Sequence, residues 1–578
     1  MLLMPRPVQP AFRAKRPARS TILNAVIAVV AVLMFGATFR AGIDRGMDQM
    51  VSSQGYGRIL SAISAVMTEQ RFRQGGYALS NCIHDELERR GLTSDREITK
   101  RIGLSFPQNL RAPFLDKVLQ DMERDLSKLP DQCAHAIRGL GADDVGYVDF
   151  AKLAFYLFGL HIRAFYYLFF LIYGLSLLVG LIERHRDPMG QIILLSAAGL
   201  VYVSCYYSNF LPSGSSNMLN PQFMPVLALI PGIHLLLILV DKAAPNWWRA
   251  AIVVFQSGVI FFAIHIRASA IWWIPALLLA AVVLFLLTLK GGKGRPEGWR
   301  AAAYRGLVVQ WPALVSIAII LGSLKLVVWS LHPIYREGGW LSYHAVWHSI
   351  YYSLQFHPKY VEKYAAYHEG KDGDEMPIAG ALAYLKEHPE EDKPELFIVG
   401  RSLKYSAMER VVQLAFFEFL RRDPWFVFET FVIVKPKFIW NAIVDTIVTE
   451  WKKATWRACL LFFLAIALIG GMAARQPVEM ERLSRLAAVV TLGAVTSLFI
   501  PLLTLVYAQV MTEEIMAVQM AGVLLLGLAA AHLMRAATRY RLRAMDSMRA
   551  INRERFGNRH SAKAAGIETI DHSTRGSF

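Results

Sequence analysis

The chain has 578 residues, 54% of them hydrophobic and only 19% charged, with 62 Lys and Arg against 45 Asp and Glu and a net charge of +17. That balance excludes a disordered chain and an ordinary water-soluble globule, in which about a quarter of residues are charged. The surplus basic residues flank apolar runs, so they point to a cytoplasmic membrane face and anionic lipid and away from nucleic acid.

Residues 1–20 carry Arg6, Arg13, Lys15, Arg16 and Arg19 and no acid, and read as a basic cytoplasmic tail. A membrane-spanning helix needs about 20 apolar residues. Ten runs qualify, near 21–40, 162–182, 190–210, 223–240, 250–266, 271–289, 307–330, 456–473, 486–508 and 515–534. The first is long and lacks a small-x-small cleavage site, so it reads as a retained helix and not a leader. Segments 41–161 and 331–455 are polar and rich in charged residues, and 331–455 is also rich in Tyr, Trp and His. Helical periodicity at 56–71 and 114–129 predicts helices in the first, and breaks are expected in the second at Gly338-Gly339, 371–374 and Pro389. The tail from Arg535 onward is basic again, with ten Lys and Arg against four Asp and Glu.

Loop charges set the orientation. Loops 183–189, 241–249, 290–305 and 474–485 all carry Lys or Arg, among them Arg184, Arg186, Lys242, Arg249, Arg475, Arg482 and Arg485. Loops 211–222 and 509–514 carry neither, and 267–270 has Arg267 alone. The expectation is an all-α integral membrane protein of about ten transmembrane helices in a bacterial inner (plasma) membrane, both termini cytoplasmic. Two helical caps, 41–161 and 331–455, would lie on the outer, periplasmic face, with helices two to seven in 162–330 and eight to ten in 456–534.

Four cysteines exclude a disulfide scaffold. Cys205 and Cys459 lie in apolar runs and read as core thiols. Cys82 and Cys133 share one outer segment and are expected to form a disulfide, worth about 3–5 kcal/mol by chain entropy.

The stretch from Val148 into the second span carries Leu153, Ala154, Phe158 and Gly159. Later, Glu418-Phe419-Leu420-Arg421-Arg422-Asp423-Pro424-Trp425 is followed by Lys435-Pro436-Lys437-Phe438-Ile439-Trp440. With the layout of tail, helix, long outer loop and late outer segment, these stretches resemble the GT-C superfamily of polyprenol-dependent glycosyltransferases, in particular protein mannosyltransferase-like and aminoarabinose transferase-like members. The resemblance implies a GT-C fold and sugar transfer from a polyprenyl-phosphate donor to an envelope glycan, lipid or protein. It also implies an acid, often Asp-Glu, just after the first helix. No such pair stands here; Asp44 is the nearest positional match and Asp48 the next.

Such a transfer needs a carboxylate to take the acceptor's proton and cations to hold the leaving phosphate. Asp44 is the expected base, placed just above a first helix that should end near Arg40. Asp48 would share its face only in a helix, and Gly42 and Gly46 argue against one. Asp143 and Asp144 are alternative acids; they can bind a divalent metal, position the acceptor, or cap the next helix. His265 and Arg267, beside Ser269, are expected on the donor phosphate, with Arg336. Snorkelling to headgroups is the plain alternative for Arg267. His344 and His348 flank Trp347 on one helix face, suited to lining an acceptor or sugar site or an aromatic belt. His332, His357, Arg401 and Lys404 add a cationic rim. Ala345 follows His344 where a zinc protease has Glu, and no nucleotide-binding loop occurs, so no cofactor beyond a possible divalent metal is expected. An O-antigen ligase or polymerase-like transferase, a transporter or flippase, and a non-catalytic scaffold stay open.

Overall fold

The computed structural model describes residues 17–48, 145–159, 163–207, 221–242, 244–291, 304, 306–330, 346–360, 362–364, 375–397, 403, 405–454, 456–504 and 512–564. Among them the only β pairing is an isolated bridge between Phe397 and Leu403. The remainder is helix and turn. The first part of the bundle comprises α1 (Pro17–Asp48), α2 (Val145–Phe158), α3 (Arg163–Glu183) and α4 (Pro188–Tyr207). A 3₁₀ segment, Pro221–Ala228, leads into α5 (Leu229–Val240), followed by α6 (Trp247–Ile266). A second 3₁₀ turn, Ala268–Trp272, leads into α7 (Trp273–Gly291), and α8 (Trp311–Ser330) follows. A cap is built from α9 (Val346–Tyr352), α10 (Glu375–Glu387), α11 (Tyr405–Arg422), α12 (Pro424–Phe428), a π-helical turn (Glu429–Val434) and α13 (Lys435–Lys453). The chain then returns through α14 (Trp456–Arg475), α15 (Pro477–Ser497), α16 (Phe499–Thr504) and α17 (Thr512–Ala564).

Nine helices among the described residues are long and apolar enough to cross a membrane, so the chain is a multi-pass membrane protein. The tenth expected span, 307–330, is divided at Gln310, because Pro312 has no N–H with which to continue the ladder. Its apolar run is correspondingly short, Trp311–Val327. That run nevertheless packs on α6, where Ser257 Oγ donates to Ser316 Oγ at 2.8 Å.

Segment 223–240 is buried on every side and forms the axis of the bundle, as an all-apolar helix must. A Cβ on Gly232 would stand 2.0 Å from Trp273 Cη2. Trp273 is itself buried and stacked on Trp272 at 4.1 Å, so it has nowhere to go. Gly232→Ala is therefore expected to destabilise by about 1–3 kcal/mol, the usual overpacking cost, read as a lower melting temperature in detergent.

The bundle has two distinct ends. At one, Arg482 of α15 binds Asp187 (Nη1–Oδ1 2.8 Å) and Asp241 (Nε–Oδ1 2.5 Å), and Arg184 binds the same two acids. α1 starts at this end, where Asn24 Nδ2 donates to His185 O at 2.8 Å. α17 leaves from it, with Arg535 donating to the carbonyls of Ala474 and Ala473 at the end of α14. At the other end, α16 touches both the 268–272 turn and cap helix α9. Because α7 begins at this cap end and α9 lies in the cap, α8 carries the chain back along the bundle.

Three further elements differ from expectation. α1 runs on to Asp48, past the expected end near Arg40. Gly42 costs about 1 kcal/mol in a helix interior, yet it is buried within a helix already long enough to propagate through it. α2, expected within the outer loop, belongs to the main core: Tyr147, Phe150, Ala151 and Ala154 are fully buried. α17 extends through 53 residues, far beyond its apolar portion. The cap has its own core around Tyr351, Val412, Phe419 and Phe426, and Ile439, Ile443 and Ile515 seam α13 to α17.

Candidate functional site

Among the described residues, charged side chains converge near the predicted His265 and Arg267 at the cap end, where α2 crosses α6. Gly146 makes the crossing possible, since a Cβ there would lie 2.1 Å from His265 O. One turn on, Asp149 Oδ2 meets His265 Nε2 at 3.0 Å, and Asp149 Oδ1 accepts from Lys152 Nζ at 3.1 Å. Burial pushes the Asp149 carboxyl up, but the His265 hydrogen bond and the Lys152 charge outweigh it and hold it below the ordinary value. The imidazole also stacks on Phe261, with ring centroids 5.8 Å apart. It is thus oriented by a carboxylate at Nε2, which leaves Nδ1 to serve as a proton acceptor. Arg267 follows two residues later, half-buried at the end of α6 with extended backbone.

The adjoining 3₁₀ turn carries this polar character inward. Trp272 Nε1 donates to Glu513 Oε1 at 2.8 Å. Glu513 and Glu514 open α17 with at most 1% of their surface exposed. Ser269 Oγ, Trp273 Nε1 and Glu513 Oε2 are buried without a hydrogen-bond partner among the described residues. Each such group costs about 1–3 kcal/mol, so this end holds more polar capacity than folding requires.

A second group lies beneath the cap. Lys435 is fully buried; its Nζ donates to Ser353 Oγ at 2.8 Å and stands 5.0 Å from the Phe431 ring centre. Among the described residues no carboxylate pairs with it. Burial alone brings its ammonium down to about 7. On the same helix, Glu450 accepts from Gln519 Nε2 at 2.9 Å and Ser204 Oγ at 3.3 Å. Burial raises its carboxyl to about 7 against those two hydrogen bonds.

The structure brings His265 and Arg267 together at one helix end, as the sequence suggests, and pairs His265 with an acid. Asp44 lies within helical backbone, four residues before Asp48 and one after the apolar span Asn24–Ile43. The two acids therefore occupy one helix face, contrary to the expected loop, though their side chains lie outside the described set. Asp143, Asp144, Arg336, His344, Cys82 and Cys133 also lie outside the described residues. Trp347 and His348 sit in cap helix α9, Trp347 packed against the cap core. Their backbone N–H groups donate to Glu409 at 2.8 and 3.0 Å, and the Trp347 ring packs on Phe416 and Phe417. Glu409 is buried, which raises its carboxyl despite these bonds. Cys205 is buried and Cys459 partly so. Among the described residues no three metal-ligating side chains converge.

Asp149, Lys152, Lys435, Glu450, Glu513 and Glu514 were not singled out from the sequence. Asp149 and Lys152 are three apart in a stretch already marked as informative, which was a usable signal. Lys435 belongs to the second of the resembling stretches, and Glu513-Glu514 to the short outer loop 509–514.

Two of the resembling stretches have local structural reasons. Gly159 ends α2 at φ 91°, a left-handed cap that favours glycine. Asp423 is the N-cap of α12, accepting from Phe426 N–H at 3.0 Å, with Pro424 at the first helical position. Its carboxyl also binds Lys363 and Tyr364. The Lys363 hydrogen bond comes first among the effects that bring it down to about 2. Asp423→Ala is expected to cost about 1 kcal/mol, typical of a lost cap. The native stabilisation is present above the unfolded carboxyl's value of about 3.9 and is lost as the pH falls to about 2. A comparison of melting temperatures of the two chains across this pH window checks it.

Fold and hydropathy thus define an all-helical, multi-pass membrane protein with a helical cap. No family model, curated protein or solved structure matches the chain.

Proposed function

We propose that the protein is a membrane glycosyltransferase that moves a sugar from a polyprenyl-phosphate donor to an envelope glycan, lipid or protein on the outer face of a bacterial inner membrane. The observation that supports this reading best is the carboxylate-oriented imidazole, Asp149–His265, beside Arg267 at the cap end of the bundle. In this reading His265 takes the acceptor hydroxyl's proton, Asp149 holds the ring in place, and Arg267 meets the leaving phosphate. Asp44, and Asp48 on the same helix face, remain candidates for a second acid. The end rich in arginine faces the cytoplasm, and the cap faces outward.

Lys435 is assigned the same anionic donor. A buried cation with no carboxylate partner among the described residues costs folding free energy, so retaining it calls for a functional reason. Lys435→Met is expected to keep or raise the melting temperature while transfer falls at least tenfold. The assay is turnover of a polyprenyl-phosphate sugar by the reconstituted chain. Full turnover by the methionine variant would remove Lys435 from the site.

A transporter is the second reading, favoured by the buried carboxylates Glu450, Glu513 and Glu514 along α13 and α17. Buried acids of this kind mark ion or proton paths. It predicts solute flux across vesicles without any sugar transfer.

A further inference from the structure

Helices α12 and α13, joined by the π-helical turn, form one near-continuous rod over residues 424–453. One face of the rod is internal: Phe426, Thr430, Lys435, Ile439, Ile443 and Glu450 are buried. The opposite side divides into two columns. Trp425, Phe428, Val432, Trp440, Val444 and Val448 are apolar, and between 37% and 64% of each is exposed. Within α13 the exposed residues Asn441, Asp445 and Thr449 lie one position after Trp440, Val444 and Val448 and form a parallel polar column.

This three-sided pattern does not fit a water-exposed helix, which has no use for an apolar column containing two tryptophans. Nor does it fit a membrane-crossing helix, because Lys437, Asp445, Glu450, Lys452 and Lys453 are spread along it. It fits a helix lying in the plane of a lipid–water boundary, apolar column in the acyl region and polar column toward headgroups and water.

The chain's continuation supports the same placement. After Lys453 only two residues precede α14, a candidate membrane span whose Leu460, Leu461, Phe463 and Leu464 are exposed. The apolar column of α13 is therefore continuous along the chain with a surface that faces lipid. Lys452 and Lys453 stand at the junction, where lysines reach the headgroup layer.

We infer that residues 424–453 form an interfacial helix whose partner is the lipid bilayer surface at the cap end. Trp425, Phe428, Val432, Trp440, Val444 and Val448 insert among the outer ends of the acyl chains. The helix anchors the cap to the membrane and sets Lys435, on its internal face, near headgroup height. This inference does not depend on the reaction proposed above.

The test uses the full chain in nanodiscs of phosphatidylethanolamine and phosphatidylglycerol. Nitroxide labels are attached through Trp440→Cys, Val444→Cys and Val448→Cys, and separately through Asn441→Cys, Asp445→Cys and Thr449→Cys, on a chain whose other reactive thiols are replaced. Melting temperatures near that of the parent chain establish that each variant is folded. Labels at 440, 444 and 448 are expected to be relaxed several-fold more by oxygen, which concentrates in lipid, than by a water-soluble nickel chelate. Labels at 441, 445 and 449 are expected to show the reverse. Equal access of the nickel chelate to both columns would place the helix in water. Shielding of 440, 444 and 448 from both reagents would mean that protein, such as a second copy of the chain, covers the column. Either result overturns the inference.

Discussion

His265→Gln is expected to lower sugar transfer by at least about a hundredfold, the usual contribution of a positioned general base, while the chain stays folded. The ring rests on Phe261 and bonds Asp149, so glutamine replaces most of its volume and leaves one hydrogen bond available. Asp149→Asn should reduce transfer less and in a distinguishable manner. The amide still reaches His265, but it no longer favours the imidazolium that forms as the proton moves. Asp149→Asn should therefore keep a fraction of the turnover that His265→Gln loses. Rates measured on the reconstituted chain with a polyprenyl-phosphate sugar separate the two. Unchanged turnover by His265→Gln would leave Asp44 or the Asp143-Asp144 pair as the base.

The largest stability effect is expected at the opposite end. Arg482→Met removes the cation that ties Asp187, before α4, to Asp241, after α5. Breaking a buried pair by deleting one partner costs about 3–5 kcal/mol, mainly because the remaining charges stay buried and uncompensated. Arg184 also binds both acids, and it alone would be left to offset them. The triple variant Arg482→Met, Asp187→Asn, Asp241→Asn should regain most of the lost stability, because Glu183 still pairs with Arg184 at 2.6 Å. Thermal unfolding in a mild detergent reads all three chains. If the single variant melts like the parent, the cluster is an ornament of the surface and does not hold the helices together.

The two predictions rest on information that was unequally legible in the amino-acid order. Spanning helices announce themselves by an uninterrupted apolar run, a local property, and the observed spans Phe223–Val240 and Trp247–Ile266 lie close to the expected 223–240 and 250–266. Where boundaries moved, a polar but helical residue continued the backbone. Glu479 and Arg482 begin α15 well before its apolar run, and Asp44 and Asp48 prolong α1. Side-chain pairing is not local. Asp149 and His265 are 116 positions apart, Ser204 and Glu450 246. The burial of Lys435 is not written around it in the chain, since besides Phe431 one turn away it depends on the distant Ser353 and Phe356 converging on it. His265 and Arg267 stand out because they interrupt an otherwise uncharged run, whereas the pairing of His265 with Asp149 is set by the crossing of two distant helices.

The length of α17 has a mechanical consequence. Its 53 residues make a rod about 80 Å long at about 1.5 Å per residue. Glu513 lies at one tip, beside Trp272, and Arg535 grips α14 near the middle. One arm is held in the main core by Met516, Met520, Leu524 and Ala531, while Tyr540, Leu542, Met548 and Ile551 on the other are exposed. Whatever grasps that basic arm therefore pulls on a continuous helix whose other end carries the buried carboxylate beside Trp272.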